Sequence, residues 1–196
     1  MRFSVEKFDK IGKHRWNKFV EKFNGSNHLL TWQNINYQAA FKKINNISFS
    51  VLDHNNTVAL VALAINNSNS LKTFSFGNNL TPQPIFSNDV NFSLRKKIYE
   101  FIFDYINKLA KKLYETGILY LKMDEFEPAR MSFNRVLDDY YDTDIVQEVH
   151  IGIVRSFILE KKTDLAKEYW LNKGQDDVVN DQLIDEINQL FSKAEK

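Results

Sequence analysis

The chain has no cysteine, only three prolines and only six glycines among its 196 residues. Without cysteine there is no disulfide framework, no thiol nucleophile, no cysteine-held iron–sulfur cluster and no lipid attached through a thiol. The glycines, Gly12, Gly25, Gly77, Gly117, Gly152 and Gly174, stand too far apart to build a phosphate-cradling loop. Neither a dinucleotide-binding fingerprint nor a P-loop is present, and no cofactor is expected. Long apolar runs are missing too: the longest, Val58–Ile65, falls far short of the ~20 residues of a membrane-crossing helix. Residues 1–22 are charged throughout and lack the apolar centre of a signal peptide. These absences lead to the expectation of a soluble, cytoplasmic chain with no membrane insertion.

What is present is a large supply of core formers. Hydrophobic residues make up 43% of the chain and aromatics 14%, with 16 Phe, 8 Tyr and 3 Trp, which excludes general disorder. A chain of this length buries roughly 70% of its unfolded surface, so its core needs no staples. The net charge of +1 conceals a division. Residues 1–112 carry 16 Lys/Arg against 7 Asp/Glu, whereas residues 113–196 carry 10 against 18. A reversal of this kind suggests two modules with different surfaces.

The first half is mixed. Around Trp16, Phe19, Val20 and Phe23 the pattern from Phe3 to Phe23 is helix-like, with Asn24-Gly25 as a stop. Leu29–Phe41 suits a helix or an irregular loop. Ile47, Phe49 and Val51 alternate with serines, which predicts a half-buried strand. The turn formers Asp53, His54, Asn55 and Asn56 then lead into an apolar strand over Thr57–Ile65, completing a hairpin. Leu71–Phe76 alternates as a third strand, and Gly77–Ser87, with Pro82 and Pro84, is expected to be a loop.

This order resembles the N-terminal lobe of the Fem-type and related GNAT-fold acyltransferases. The matching residues are Trp16, His28-Leu29-Leu30-Thr31-Trp32, the Asp53–Thr57 hairpin and Pro82-Gln83-Pro84, spanning about residues 10–112. The resemblance implies N-acyltransferase chemistry. That family also needs a second lobe to complete the cleft and hold the acyl donor, and nothing after residue 113 looks like one. The residues themselves offer little chemistry. His14, His28, His54 and His150 are scattered without metal-ligand spacing, so no metal is expected. Asp53-His54 has the composition of an oriented base, but its place between two strands reads as a solvated turn. No catalytic residue is expected.

From Ser93 the signal becomes helical. Ile98, Phe101, Ile102, Tyr105, Ile106, Leu109 and Leu113 recur at three and four, and Thr116, Leu119, Tyr120 and Met123 continue the stripe. One helix of about 30 residues follows, capped by Asn91 or Ser93. Gly117, Tyr120, Ala129 and Phe133 then stand at spacings of three, nine and four. That is similar to the tetratricopeptide pattern of small residue, aromatic, then Ala-x-x-x-Phe. The small residues let two antiparallel helices approach, and the aromatics fill the space between them. Asp124 with Glu127 offers a capping box, and Pro128 suits the first turn of the second helix. The pattern returns 37 residues on, with Phe157, Ala166 and Trp170 matching Tyr120, Ala129 and Phe133, while Gly117 maps to Val154. A longer connection at Tyr141–Asp144 accounts for the excess over the usual period. Asp176–Lys196 forms an amphipathic closing helix with Leu183, Ile184, Ile187, Leu190 and Phe191 on one face.

The stretches Tyr114–Tyr120 and Arg130–Thr143 go further and resemble the last repeats of BamD-type proteins of the outer-membrane β-barrel assembly machinery. Tyr141 stands where those proteins carry proline. The resemblance covers about residues 95–175 and implies a non-enzymatic scaffold that grips a partner protein. The lipid-bearing cysteine and signal peptide of those proteins have no counterpart here.

The expected fold is therefore α+β: a small mixed domain over residues 1–92, followed by an all-α tetratricopeptide-like array with a capping helix over residues 93–196. The expected function is a protein-binding scaffold, with an acyltransferase relative or an acyltransferase fragment as the alternative. The expected partner is another protein or a peptide, not nucleic acid. If Gly117 and Tyr120 face the second helix, the outward residues include Lys111, Tyr114, Ile118, Leu121 and Lys122. These form an expected partner-binding strip, unless they pack on the N-terminal domain instead.

Overall fold

The structure is a computed structural model that describes residues 3–23, 30–42, 45–65 and 84–194. It has the expected α+β character, with a four-stranded antiparallel sheet followed by a helical region. The chain divides into two compact units, Met1–Ile102 and Phe103–Lys196. The division falls inside a long helix and not at residue 92, because the first turns of that helix belong to the N-terminal core. There Ile98 is fully buried, and the Phe101 ring lies 5.4 Å from that of Phe3.

The N-terminal unit begins with strand β1 (Phe3–Lys7), where the sequence pattern suggested helix. Val5 pairs with Val51 in the ladder, and a five-residue edge strand is too short to show its alternation clearly. Helices α1 (Phe8–Ile11) and α2 (Lys13–Lys22) follow. They are separated at Gly12, whose φ of 76° is open to glycine at little cost. Helix α3 (Trp32–Lys42) resolves the earlier ambiguity between helix and loop. A short pair, β2 (Asn45–Asn46) with β5 (Ala64–Ile65), flanks the expected hairpin of β3 (Phe49–Asp53) and β4 (Asn56–Val61). His54 and Asn55 turn the hairpin with φ of 48° and 70°, the left-handed pair that a two-residue turn between twisted strands requires. The sheet order is β1-β3-β4-β6, all antiparallel.

Strand β6 (Ile85–Phe86) corrects the expected loop over Gly77–Ser87: Ile85 and Phe86 pair with Leu60 and Ala59. Two residues after a Pro-x-Pro segment carry no readable period, so only the ladder reveals them. The expected strand at Leu71–Phe76 lies outside the described residues. One face of the sheet is covered by Phe8, Ile11, Trp16, Val20 and Ile35, which join Leu60 and Ala62 in a single core. Phe8 and Trp32 stack at 3.7 Å, and the Trp16 indole donates to the Leu30 carbonyl at 2.7 Å.

Helix α4 (Phe92–Lys122) is the expected long helix. Asn91 is its cap, its side-chain oxygen accepting from the Leu94 N–H at 2.9 Å. The C-terminal unit continues with α5 (Phe126–Asp139), α6 (Val146–Leu159), α7 (Thr163–Tyr169), a π-helical turn (Trp170–Gly174), α8 (Gln175–Asp177) and the closing helix α9 (Asp181–Ala194).

The expected 37-residue period is built into the backbone. Helix α4 ends with Asp124 in the left-handed region at φ 59°, and α6 ends with Lys161 at 62°. In the first, the N–H groups of Asp124 and Glu125 reach back to the Leu121 and Tyr120 carbonyls. In the second, Lys161 and Lys162 reach back to Ile158 and Phe157 in the same way. These are two Schellman terminations in register, each turning the chain sharply into the next helix. Asp124 is thus a helix terminator and not a capping-box residue, and α5 starts without a side-chain cap. The link between α5 and α6 spans residues 140–145, against 123–125 and 160–162 for the other two, which locates the extra length where it was expected.

The two pairs meet at Phe133. Its ring is fully buried. A β-carbon on Gly117 of α4 would overlap the ring, and one on Gly152 of α6 would stand 2.8 Å from its Cζ. The ring is therefore held between two glycine faces. Replacing Gly117 by alanine improves helix propensity by about 1 kcal/mol, yet the overlap should outweigh that gain. Gly117→Ala is expected to lower stability by about 1–3 kcal/mol in urea unfolding. The smaller ring-free side chain of Phe133→Leu should make the double variant less unstable than the sum of the two. Strict additivity would show that the ring does not set the helix spacing.

Candidate functional site

The expected repeat-packing residues are brought together, but the two pairs differ in detail. Ala129 and Ala166 are fully buried. Tyr120 and Phe157 are half-buried, and both pack in the core of the first pair. Trp170 opens the π-helical turn and covers Gly174, where a β-carbon would stand 2.6 Å from its Cε3. It packs with Leu183, Ile184 and Ile187 of α9. The closing helix is thus a structural lid on the second pair, fixed also by an ion pair between Arg155 and Glu186.

The expected partner-binding strip is only partly at the surface. Leu121 is 6% exposed and belongs to the core around Phe133. Tyr114 is half-buried with its ring 5.7 Å from that of Phe133, and Ile118 is half-buried beside them. Helical geometry explains the correction. Residues 114 and 121 stand three before and four after Gly117, so all three share one face. Burial also pushes the Tyr114 phenol upward, with Glu148 and Glu186 adding to the effect and Arg155 opposing it. The outward side of this part of α4 instead carries Lys111, Glu115, Leu119 and Lys122, continued by Met123 just past the helix end, all exposed. Leu119 and Met123 are 56% and 60% exposed, one turn apart.

Two polar clusters escaped the sequence reading. In the first, the Arg130 guanidinium carbon lies over the Phe157 ring, 4.4 Å from its centre, and the group pairs with Glu160 at 2.8 Å. It also donates to the Ser156 hydroxyl at 3.3 Å. Lys162 reaches the same carboxylate at 2.6 Å. Hydrogen bonding from Lys162, then from Arg130, holds the Glu160 carboxyl below its usual range. Arg130, from α5, thus covers the Phe157 ring beside the turn between α6 and α7 while its nitrogens remain paired.

The second cluster is buried. His150 on α6 is 2% exposed. Its Nδ1 lies 2.8 Å from the Tyr169 hydroxyl on α7, and its Nε2 lies 3.2 Å from Asp177 Oδ2 on α8 without hydrogen-bond alignment. The π-helical turn inserts the extra residue that brings Asp177 back toward the histidine. Burial lowers the His150 pKa, Asp177 opposes that shift and Lys173 adds to it. Burial and Asp177 together raise that of Tyr169. The arrangement holds a neutral imidazole between a phenol and a carboxylate. Asp177 is 60% exposed at its side chain and Tyr169 is half-buried, yet the imidazole is enclosed. This is the geometry of a structural clasp: no face of the ring is open to a substrate.

In the N-terminal unit, Asp53 and His54 pair at 2.8 Å with the imidazole 76% exposed, the solvated turn that was expected. His14 is exposed, and His28 lies outside the described residues. Comparison with protein-family models, with curated proteins and with solved structures gives no match.

The His150 clasp makes stability depend on pH in a defined direction. A histidine held below its ordinary pKa binds its proton more readily in the unfolded chain, so folding is favoured as pH rises through the ordinary imidazole range. Stability should therefore fall from about pH 7 to pH 5.5, by less than roughly 1.4 kcal/mol per pH unit. Denaturant unfolding across that range should show this slope, and His150→Gln should flatten it. An unchanged slope in the variant would assign the effect to other groups.

Proposed function

We propose that the C-terminal unit is a non-enzymatic protein-binding scaffold of the tetratricopeptide type. The observation that carries this reading is the repetition of one helix-pair design at 37 residues, with the same Schellman termination after α4 and α6 and the same buried alanine in α5 and α7. Such arrays put their chemistry on helix faces and not in enclosed pockets. The face available is the outward side of α4, where the exposed Leu119 and Met123 are flanked by Lys111, Glu115 and Lys122. Apolar anchors one turn apart within a charged rim suit a modest protein interface. Among the described residues no helix is long and apolar enough to cross a membrane.

A photo-crosslinking residue placed at Leu119 in the full chain tests this reading in the cell of origin. A discrete protein adduct that disappears with Met123→Asp is expected, while Met123→Asp should leave the thermal melt unchanged. Leu121→Asp should instead unfold the C-terminal unit, since it places a charge in the Phe133 core. The absence of an adduct, together with acyl transfer from acetyl-coenzyme A to an amine by the purified protein, would favour the acyltransferase alternative.

A further inference from the structure

The N-terminal unit contains a cleft of about 540 Å3 that the scaffold reading leaves unused. Its size lies within the roughly 300–1,000 Å3 of small-molecule sites. One wall is a single stripe of α2, Arg15, Lys18, Phe19 and Lys22, continued by Phe23 just beyond its end. The other wall comes from the start of β4 at Asn56, Thr57 and Val58, and from Ser87, Asp89 and Leu94 around the beginning of α4.

The charges on these walls are unequally committed. Arg15 holds both oxygens of Glu6 through its two terminal nitrogens. Asp53, at the rim, is paired with His54 at 2.8 Å. Lys18 and Lys22 are exposed and have no carboxylate partner among the described residues. The Lys22 ammonium lies over the Phe23 ring, 5.4 Å from its centre, and has no other partner than that ring among the described residues. Half-buried Phe19 supplies the aromatic wall, backed ring to ring at 4.3 Å by Phe23, which is buried, and Val58 and Leu94 also line the cleft. On the polar side, the Ser87 hydroxyl already donates to Asp89 at 3.5 Å. The cleft thus joins an apolar slot to two uncommitted cations one helical turn apart.

We propose that this cleft binds a small organic anion: a flat or aliphatic body seated against Phe19, with an oxyanion group between Lys18 and Lys22. The two halves of the site call for different parts of one molecule. Neutral apolar compounds leave the ammonium groups solvated and gain nothing from them. A bare inorganic anion meets two mobile lysines in water, where each pair is worth little. A ligand with both parts covers the aromatic wall, lowers the local dielectric and strengthens both charge-assisted hydrogen bonds. Asp89 on the far wall adds a preference for a hydroxyl or amine donor on the body, opposite its charged end. The inference concerns the N-terminal unit alone and stands or falls separately from the scaffold reading of the helices.

The test uses the full chain and three probes: naphthalene-2-sulfonate, the neutral 2-naphthalenemethanol, and inorganic phosphate. Each is titrated into isotope-labelled protein and followed by amide chemical shifts. Naphthalene-2-sulfonate should saturate one site, with perturbed amides at residues 15–23, 56–58 and 87–94. The other two probes should bind on the order of tenfold more weakly or worse. Lys18→Gln/Lys22→Gln should weaken the sulfonate by on the order of tenfold, at unchanged melting temperature, because both side chains are exposed. Lys13→Gln, on the same helix but outside the cleft, should leave it unchanged. Binding of the neutral probe as tight as the sulfonate would reduce the site to a greasy patch and overturn the proposal. So would an affinity indifferent to the two lysines, shifts confined to the helical unit, or no saturation at millimolar probe.

Discussion

The helical unit depends on one steric constraint, the confinement of the Phe133 ring between the backbones of Gly117 and Gly152. A phenyl ring in that position sets the distance between α4, α5 and α6 together, because neither flanking helix has a side chain with which to adjust. Everything further out is arranged around this spacing. Ala129, on the same helix as Phe133, is the small residue that closes the remaining gap, and Tyr114 and Leu121 complete the same core from α4. The two Schellman turns then return each helix at the right height, using Asp124 and Lys161 in a conformation more readily adopted by glycine. That cost is tolerated because the helices on either side are already committed by their packing.

This constraint also explains what the sequence disclosed and what it concealed. Gly117, Ala129 and Phe133 are close in the chain, and their spacing alone indicated a helix pair. Gly152, the second wall, was overlooked, although a glycine within the apolar run Ile151–Val154 is unfavourable in a helix unless something must approach it closely. The rotation of α4 was misjudged for a simpler reason. Leu121 stands four residues after Gly117 and must share its face, so the outward strip is displaced to Leu119 and Met123. In the N-terminal unit the hairpin was legible from its turn formers and alternation. Strands β1 and β6 were not, since a strand of two to five residues at a sheet edge is defined by its partner's hydrogen bonds more than by its own pattern.

Sites were harder to read than the fold, because their residues are dispersed. His150, Tyr169 and Asp177 lie on three separate helical segments, and only the π-helical turn brings the last of them into range. Arg130 and Glu160 meet across two helices for the same reason. A histidine in an apolar stretch gave a faint signal, since the run from Val149 to Val154 includes it among residues that are all buried. Once placed, its chemistry follows from its enclosure. A ring that touches a phenol and a carboxylate but no open cavity supports the joint of α6, α7 and α8, and any proton it takes up acts on stability.

The two halves of the chain divide their labour along the charge reversal. In the acidic unit, paired polar groups serve the packing of helices on one another, as Arg130 over Phe157 and Arg155 with Glu186 show. In the basic unit the situation is inverted: Arg15 is tied down, but Lys18 and Lys22 border a concavity beside Phe19, which the core leaves half-buried. A helix whose only duty was to cover the sheet would bury Trp16 and Val20 and leave its flank convex and wet. Helix α2 does bury those residues, and its neighbouring stripe also forms one wall of a cleft. That second face is what distinguishes a sheet-covering helix from one that also shapes a binding site, and it gives the strand-containing unit a recognition chemistry separate from that of the helical array.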